Sequence, residues 1–155
     1  MIIVFGSVNV DMVVPVDSFP ENGETRIGES YLKHAGGKGA NFAVAAARCE
    51  VKVGIVGRVG HDGFGRLAQN NLKQHSIRAA GVGIVEDKPT GTTIIMVTPD
   101  GESRVVITGG ANLECTSDQL PNEAMGTGNI IIADLGMPHQ AVWDVIKRAK
   151  SCGNT

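Results

Sequence analysis

Short apolar segments alternate with helix-like segments along most of this sequence, and this alternation is the feature that most restricts its fold. Apolar runs at residues 1–5, 51–57 and 129–133 are typical of buried strands. The segment 64–75 carries apolar residues at helical spacing, and 138–150 begins with proline and ends with basic residues, as helices often do. The pattern predicts an α/β fold with a mostly parallel sheet.

Two regions interrupt the alternation, because strand-like segments follow one another there without a helix between them. They span about residues 12–33 and 91–108. In the second region, segments 92–98 and 103–108 flank a Pro-Asp-Gly turn, which predicts a β-hairpin. Part of the first region, 24–33, has the mixed polarity of a half-buried strand. Together the two regions predict a small separate sheet beside the main one.

Charge and composition exclude several classes of partner. The formal net charge is −2, so there is no electrostatic reason to expect binding to nucleic acid or to an anionic membrane. No apolar run approaches the ~20 residues that a membrane span needs. The three cysteines are odd in number and form no CxxC motif, which is typical of reduced cytosolic thiols. The start of the chain lacks the basic segment of a signal peptide, so we expect a cytoplasmic protein.

A glycine-rich loop, HAGGKGAN, precedes an alanine-rich segment that predicts a helix capped by Asn41. It is not a Walker A loop, because Gly39 follows Lys38 where Ser or Thr is required, and it is not GxGxxG, because Phe42 holds the last position. Glycines that let a ligand approach the backbone, beside a helix N-terminus and a lysine, would suit a binding site. A simple tight turn explains the same residues equally well.

A second glycine-rich segment formally fits GxGxxA, from Gly63 to Ala68. A dinucleotide fingerprint needs its glycines in the turn directly after the strand, and residues 58–62 intervene here. We therefore do not expect dinucleotide binding. Asp62 is predicted to cap the helix that begins near Phe64.

Asn9 and Asp11 stand two residues apart within an apolar, strand-like run. Side chains at positions i and i+2 of a strand point to the same face, and burying two polar groups there without partners would be costly. An amide and a carboxylate together can bind the adjacent hydroxyls of a polyol. This interpretation is favoured over a face that is simply solvated.

Four motifs in this chain resemble those of the ribokinase-like carbohydrate kinases and occur in the same order. They are GSVNVD at 6–11, GGKGAN at 36–41, GRVGHDGFG at 57–65 and TGGAN at 108–112. The resemblance extends from residue 1 to about residue 150. It implies a Rossmann-like, three-layer α/β sandwich with a small β-sheet lid over the sugar site.

The resemblance also implies an activity: transfer of the γ-phosphate of ATP, with Mg²⁺, to a hydroxyl of a pentose or related sugar. Carried over by position, the residues that would bind the sugar lie on two motifs. They are Asn9, Asp11, Gly36, Gly37, Lys38 and Asn41.

The chain departs from the family pattern at two places. Gly136 stands where such kinases often have a sugar-contacting glutamate, and Asp134 would be a substitute only if the preceding strand continued. The DTxGAGD-like loop, which supplies the general base and phosphate-stabilising amides in the C-terminal half of these kinases, has no match here. No catalytic residue is therefore predicted in this chain.

From these departures we expect the N-terminal, sugar-binding half of a ribokinase-like domain, with the C-terminal half of the family fold absent and no activity on its own. The alternative is a non-catalytic module that binds sugar or forms a homodimer through the lid strands or the sheet edge. Two local predictions complete the interpretation. Trp143 is expected in the core beside Ile146, and residues 117–123 are expected to form a short helix.

Overall fold

The computed structural model describes residues 1–126 and 128–154. Two sheets and three α-helices organise these residues, together with short 3₁₀ turns. In chain order, the strands and helices are β1 (Ile2–Phe5), β2 (Asn9–Pro15), β3 (Leu32–Gly36), α1 (Lys38–Arg48), β4 (Val53–Gly60), α2 (Gly63–Gln74), β5 (Arg78–Val85), β6 (Gly91–Val97), β7 (Ser103–Thr108), β8 (Ile130–Ala133) and α3 (His139–Ser151).

The main sheet has the strand order β5-β4-β1-β8, and all of its pairings are parallel. Helices α1 and α2 pack on one face around Val4, Ala43 and Leu72, while α3 packs on the other face around Phe5 and Val145. Strands of this kind are buried on both faces, which explains their nearly continuous aliphatic sequences. The predicted three-layer α/β sandwich is confirmed.

The second sheet has the order β3-β2-β6-β7 and contains both pairing directions. Strand β2 runs antiparallel to β3 and parallel to β6, and β6 and β7 form the predicted antiparallel hairpin. Every residue of β7 is exposed. A second sheet beside the main one was predicted from the interrupted alternation, and it is present.

Three local predictions were wrong, each for a physical reason. The strand expected over residues 24–33 begins only at Leu32, and the preceding exposed residues pair with no strand. The helix expected over 117–123 is divided into two 3₁₀ turns on either side of Pro121, whose ring cannot donate a backbone hydrogen bond. Trp143 is 57% exposed, because α3 buries a different stripe of small and aliphatic residues, Ala141, Val142, Val145 and Ala149.

The predicted helix cap at Asp62 is confirmed. Its carboxylate accepts a hydrogen bond from the Gly65 amide at 2.7 Å, and others from the Thr90 amide at 2.8 Å and the Thr90 hydroxyl at 2.7 Å. Because Thr90 directly precedes β6, this carboxylate also joins the second sheet to the start of α2. Among the described residues, no helix is both long enough and apolar enough to cross a membrane.

Candidate functional site

A pocket of about 170 Å³ lies where the carboxyl ends of the main-sheet strands meet the second sheet. Ligands of open α/β sheets bind at the carboxyl ends of the strands, so the location itself favours a binding site. Five of the six predicted site residues line the pocket, and Gly36 does not. The lining consists of Ser7, Asn9, Asp11, Gly37, Lys38, Asn41, Thr93, Ile107, Gly109, Asn112 and Gly136.

Asn9 is buried at the first position of β2, where its side-chain amide is held by two neighbours. Its Oδ1 accepts a hydrogen bond from Asn112 Nδ2 at 2.7 Å, and its Nδ2 donates to Thr93 Oγ1 at 3.4 Å. Asn112 is itself fixed, because its Oδ1 accepts from the Val8 amide at 2.9 Å. An amide nitrogen carries two hydrogens, so Asn9 keeps one donor for a ligand.

Asn112 and Thr93 were not identified as site residues from the sequence. Asn112 lies in the TGGAN motif, so that motif was the signal that could have led to it. Thr93 lies within the predicted hairpin and pairs with Asp11 across the second sheet, which no local motif indicates.

Asp11 lies one pleat further along β2 and is half-buried. Within the described part of the chain, no donor is hydrogen-bonded to its carboxylate. The carboxylate has room because Gly36, on the neighbouring strand β3, lacks a side chain. A Cβ atom built on Gly36 would overlap the carboxyl group of Asp11. Gly36 therefore serves the site indirectly, by leaving space for an acceptor.

The glycine loop brings α1 against the end of β1. Gly37 has a positive φ of 90° and stands at the N-cap, so α1 begins at Lys38 and the predicted cap at Asn41 was wrong. A Cβ atom on Gly37 would lie 2.5 Å from the Ser7 carbonyl oxygen, which no side chain tolerates. Lys38 and Asn41 lie on the first turn of α1, and both are exposed at the pocket.

Two amides in the first turn of α1 are already bonded to groups of the protein. The Gly39 amide donates to Asp134 Oδ2 at 3.2 Å, and the Ala40 amide donates to the Ser7 carbonyl at 3.0 Å. A phosphate-binding helix N-terminus needs such amides free. The pocket is also smaller than the ~300–1,000 Å³ typical of larger organic ligands. These two facts argue against a nucleotide at the glycine loop and favour a small ligand.

Asp134 is the buried acceptor that joins three segments around the pocket. It follows β8 directly and is only 2% exposed. It accepts hydrogen bonds from the Ser7 amide at 3.0 Å, from the Ser7 hydroxyl, from the Gly39 amide and from the Gly136 amide at 2.8 Å.

The environment of Asp134 favours its charged form. Burial alone raises the pKa of Asp134, but the hydrogen bonds from Ser7 and Gly136 and the nearby charge of Lys38 outweigh it, so the pKa is lowered. The suggested role of Asp134 as a substitute for a sugar-contacting glutamate was wrong. Strand β8 ends at Ala133, and the Asp134 carboxylate faces protein donors instead of the pocket.

Comparison with known proteins connects this geometry to a family. A family model described as pfkB family carbohydrate kinase matches residues 1–153. Ribokinase from Bacillus subtilis is 36% identical over 152 residues, which cover 97% of this chain and 52% of the Bacillus protein. Ribokinase from Mus musculus is 35% identical over 154 residues, covering 98% of this chain and 48% of the mouse protein.

A solved structure agrees with these sequence relatives. Arabidopsis thaliana ribokinase, complexed with ribose and ATP, matches with a TM-score of 0.85 and 30% identity over 99% of this chain and 51% of that chain. The chain spans about half the length of the curated relatives it matches. The resemblance that the four ordered motifs indicated is confirmed, and the chain belongs to the pfkB family of carbohydrate kinases.

Proposed function

We propose that this chain is the sugar-binding part of a ribokinase-type kinase, which phosphorylates a hydroxyl of a pentose or related sugar with ATP. The observation that carries the proposal is the Asp11 carboxylate. It lines a small pocket at the carboxyl edge of the main sheet, has room created by Gly36, and has no bonded donor among the described residues. Such an acceptor is suited to the adjacent hydroxyls of a sugar.

The other lining residues provide the remaining contacts that a sugar needs. Asp11 accepts hydrogen bonds from two hydroxyls, while Asn9 donates its remaining amide hydrogen. Lys38 and Asn41 contribute donors from the first turn of α1, and Ile107 of β7 covers an apolar face of the ring. Hydrogen bonds to charged groups are worth about 1.5–3 kcal/mol each, so Asp11, which accepts two of them, is expected to contribute strongly to the affinity.

The nucleotide belongs to the proposal for the whole kinase and not to this pocket. The Gly39 and Ala40 amides of α1 are bonded to Asp134 and Ser7, and no group of three His, Cys, Asp or Glu side chains in the described residues could hold a metal ion. We assign ATP and Mg²⁺ to the whole kinase, and no catalytic residue to this chain. We propose that the isolated chain binds sugar without phosphorylating it.

A second candidate function is self-association, favoured by the exposed apolar surface of the second sheet. Val105, Val106 and Ile107 of β7 and Ile94 of β6 are all exposed. Exposed apolar patches on a sheet commonly mark an interaction surface. A homodimer formed through these lid strands would cover them, including Ile107, which also lines the sugar pocket. Sedimentation velocity across a range of protein concentrations distinguishes a dimer from a monomer.

Calorimetric titration of the purified chain with ribose, fructose, a nucleoside and ATP tests the main proposal. We expect saturable binding of one monosaccharide per chain and no binding of ATP. An assay with ATP and Mg²⁺ then tests inactivity, with an Asp11→Asn preparation as the control for contaminating kinase. Turnover that disappears in this variant would contradict an inactive fragment, and a dimer that binds no sugar would favour the self-association module.

A further inference from the structure

Four groups determine how the pocket responds to the charge of a ligand: the N-terminus of α1, Lys38, Asp134 and Asp11. The N-terminus of α1 carries roughly half a positive charge from the helix dipole, and Lys38 adds one more. Without a compensating anion, a helix N-terminus next to a lysine would attract phosphate. Asp134 supplies that anion from inside the protein, since its carboxylate bonds to the Gly39 amide in the first turn of the same helix.

Because Asp134 is buried, its negative charge stays next to the positive N-terminus of α1. The side chain is 2% exposed, and hydrogen bonds from Ser7, Gly39 and Gly136 hold its carboxylate beside the first turn of α1. Asp11 adds a second carboxylate on the pocket wall. The formal charges of Asp11, Asp134 and Lys38 leave one net negative charge at the site.

We propose that Asp134 is a specificity-determining residue that makes the pocket reject anionic ligands, such as sugar phosphates, and restricts it to neutral sugars. The inference rests on the proposed sugar-binding function. Asp134 acts without touching the sugar, by neutralising the end of α1 and offsetting Lys38. A phosphate group entering the pocket meets the Asp11 carboxylate, the negative field of the buried Asp134 carboxylate, and a helix N-terminus whose Gly39 and Ala40 amides are already bonded.

The test compares the affinities of the purified chain for ribose, ribose 5-phosphate and inorganic phosphate by calorimetry, in the wild type and in Asp134→Asn. Asparagine keeps the size of the side chain but removes the charge. Removing one unit charge several ångströms from a ligand changes affinity by about tenfold. We therefore expect the preference for ribose over its phosphate to narrow by about tenfold in the variant.

Asp62→Asn is the matched control, because it makes the same chemical change at another hydrogen-bonded carboxylate, which caps α2 and does not line the pocket. It should lower thermal stability and leave the ratio of the two affinities unchanged. If the ratio of ribose affinity to ribose 5-phosphate affinity is the same in Asp134→Asn and the wild type, the inference is overturned. It is also overturned if Asp134→Asn and Asp62→Asn reduce this ratio equally.

Two further results keep the inference separate from the proposed function. If the wild type binds no neutral sugar, the proposed function fails. Binding of inorganic phosphate by Asp134→Asn but not by the wild type would still support the charge role of Asp134. If neither protein binds phosphate, the charge role of Asp134 is overturned as well. If Asp134→Asn does not fold, the inference is tested by the salt dependence of the affinity of the wild type for ribose 5-phosphate. Repulsion is screened by salt, so affinity for ribose 5-phosphate should rise with ionic strength, and a constant or falling affinity would contradict the inference.

Discussion

The side-chain amide of Asn112 donates a hydrogen bond to Oδ1 of Asn9 at 2.7 Å, across 103 positions of sequence. Asn112 lies just after the hairpin of β6 and β7 and also accepts a hydrogen bond from the Val8 amide. It thereby connects the segment after β7 to the first residue of β2. This contact sets the position of one wall of the pocket.

Asn112→Ala should therefore weaken both the fold and ligand binding. The substitution leaves Asn9 Oδ1 and the Val8 amide without their partner, and each unsatisfied buried group costs about 1–3 kcal/mol. Urea unfolding should show a loss of at least about 1 kcal/mol, with a several-fold weaker affinity for ribose. Asn70→Ala, at an exposed position of α2 outside the pocket, is the control and should leave sugar affinity unchanged. Wild-type stability and affinity in Asn112→Ala would contradict this role.

Gly36→Ala should weaken sugar binding although Gly36 does not line the pocket. The added Cβ overlaps the carboxyl group of Asp11, which must rotate away from its position in the pocket. We expect an affinity loss of about tenfold or more, since charge-assisted hydrogen bonds are worth about 1.5–3 kcal/mol each. Calorimetry measures the loss directly.

Gly63→Ala is the matched control for that substitution. A Cβ on Gly63 meets only the end of the flexible Arg66 side chain, at 3.7 Å, and the residue lies at the start of α2. Ribose affinity should remain that of the wild type. Equal losses in both variants would show that the effect of Gly36→Ala is general destabilisation.

Acid should destabilise the chain through Asp62 and Asp134. Burial raises the pKa of Asp62, but hydrogen bonds from Thr90 and Gly65 outweigh it, so that the pKa of Asp62 is lowered, as is that of Asp134. A folded pKa below the unfolded value of about 4 provides stability above that pH, which is lost as the pH falls through the folded pKa.

Urea unfolding at a series of pH values checks this dependence. The contribution of these two groups to the free energy of unfolding should be constant between about pH 5 and 8 and should decline below about pH 4. Asp134→Asn should begin less stable and lose less stability over the acid range. A decline as steep as in the wild type would show that Asp134 does not contribute.

The three cysteines should differ in reactivity. Cys49 and Cys152 are exposed, whereas Cys115 is buried, and burial raises the pKa of its thiol to about 12. Only the thiolate reacts rapidly, so a disulfide reagent at neutral pH should label two thiols in the folded chain and the third only after unfolding. Rapid labelling of Cys115 under native conditions would mean that the core around it opens readily.

The main architecture could be predicted from the sequence because its signals are local. The aliphatic runs of β1, β4 and β8 and the Pro-Asp-Gly turn between β6 and β7 are each visible within a few residues. Where a local signal was ambiguous, the prediction failed. Trp143 and Ile146 share a helical face, but α3 buries the neighbouring stripe of smaller residues.

The polar residues of the candidate site could be predicted from the sequence, but the residues that position them could not. Asn9 and Asp11 were identified by strand periodicity, and the glycine loop was identified by its composition. The contacts that position them are long-range: Asp134 reaches Ser7 across 127 positions, and Gly36 makes room for Asp11 from a neighbouring strand. Such relations depend on strand order and register, which no single segment reveals.

The central claim, that this pocket binds a sugar through Asp11, is tested most directly by ribose calorimetry on Asp11→Asn and Asp87→Asn. Asp87 is an exposed carboxylate in the turn between β5 and β6, outside the pocket. We predict wild-type affinity in Asp87→Asn and a loss of about 10- to 100-fold in Asp11→Asn, corresponding to the ~1.5–3 kcal/mol of a hydrogen bond to a charged group. Equal ribose affinity in the two variants, or no binding by the wild type, would contradict the claim.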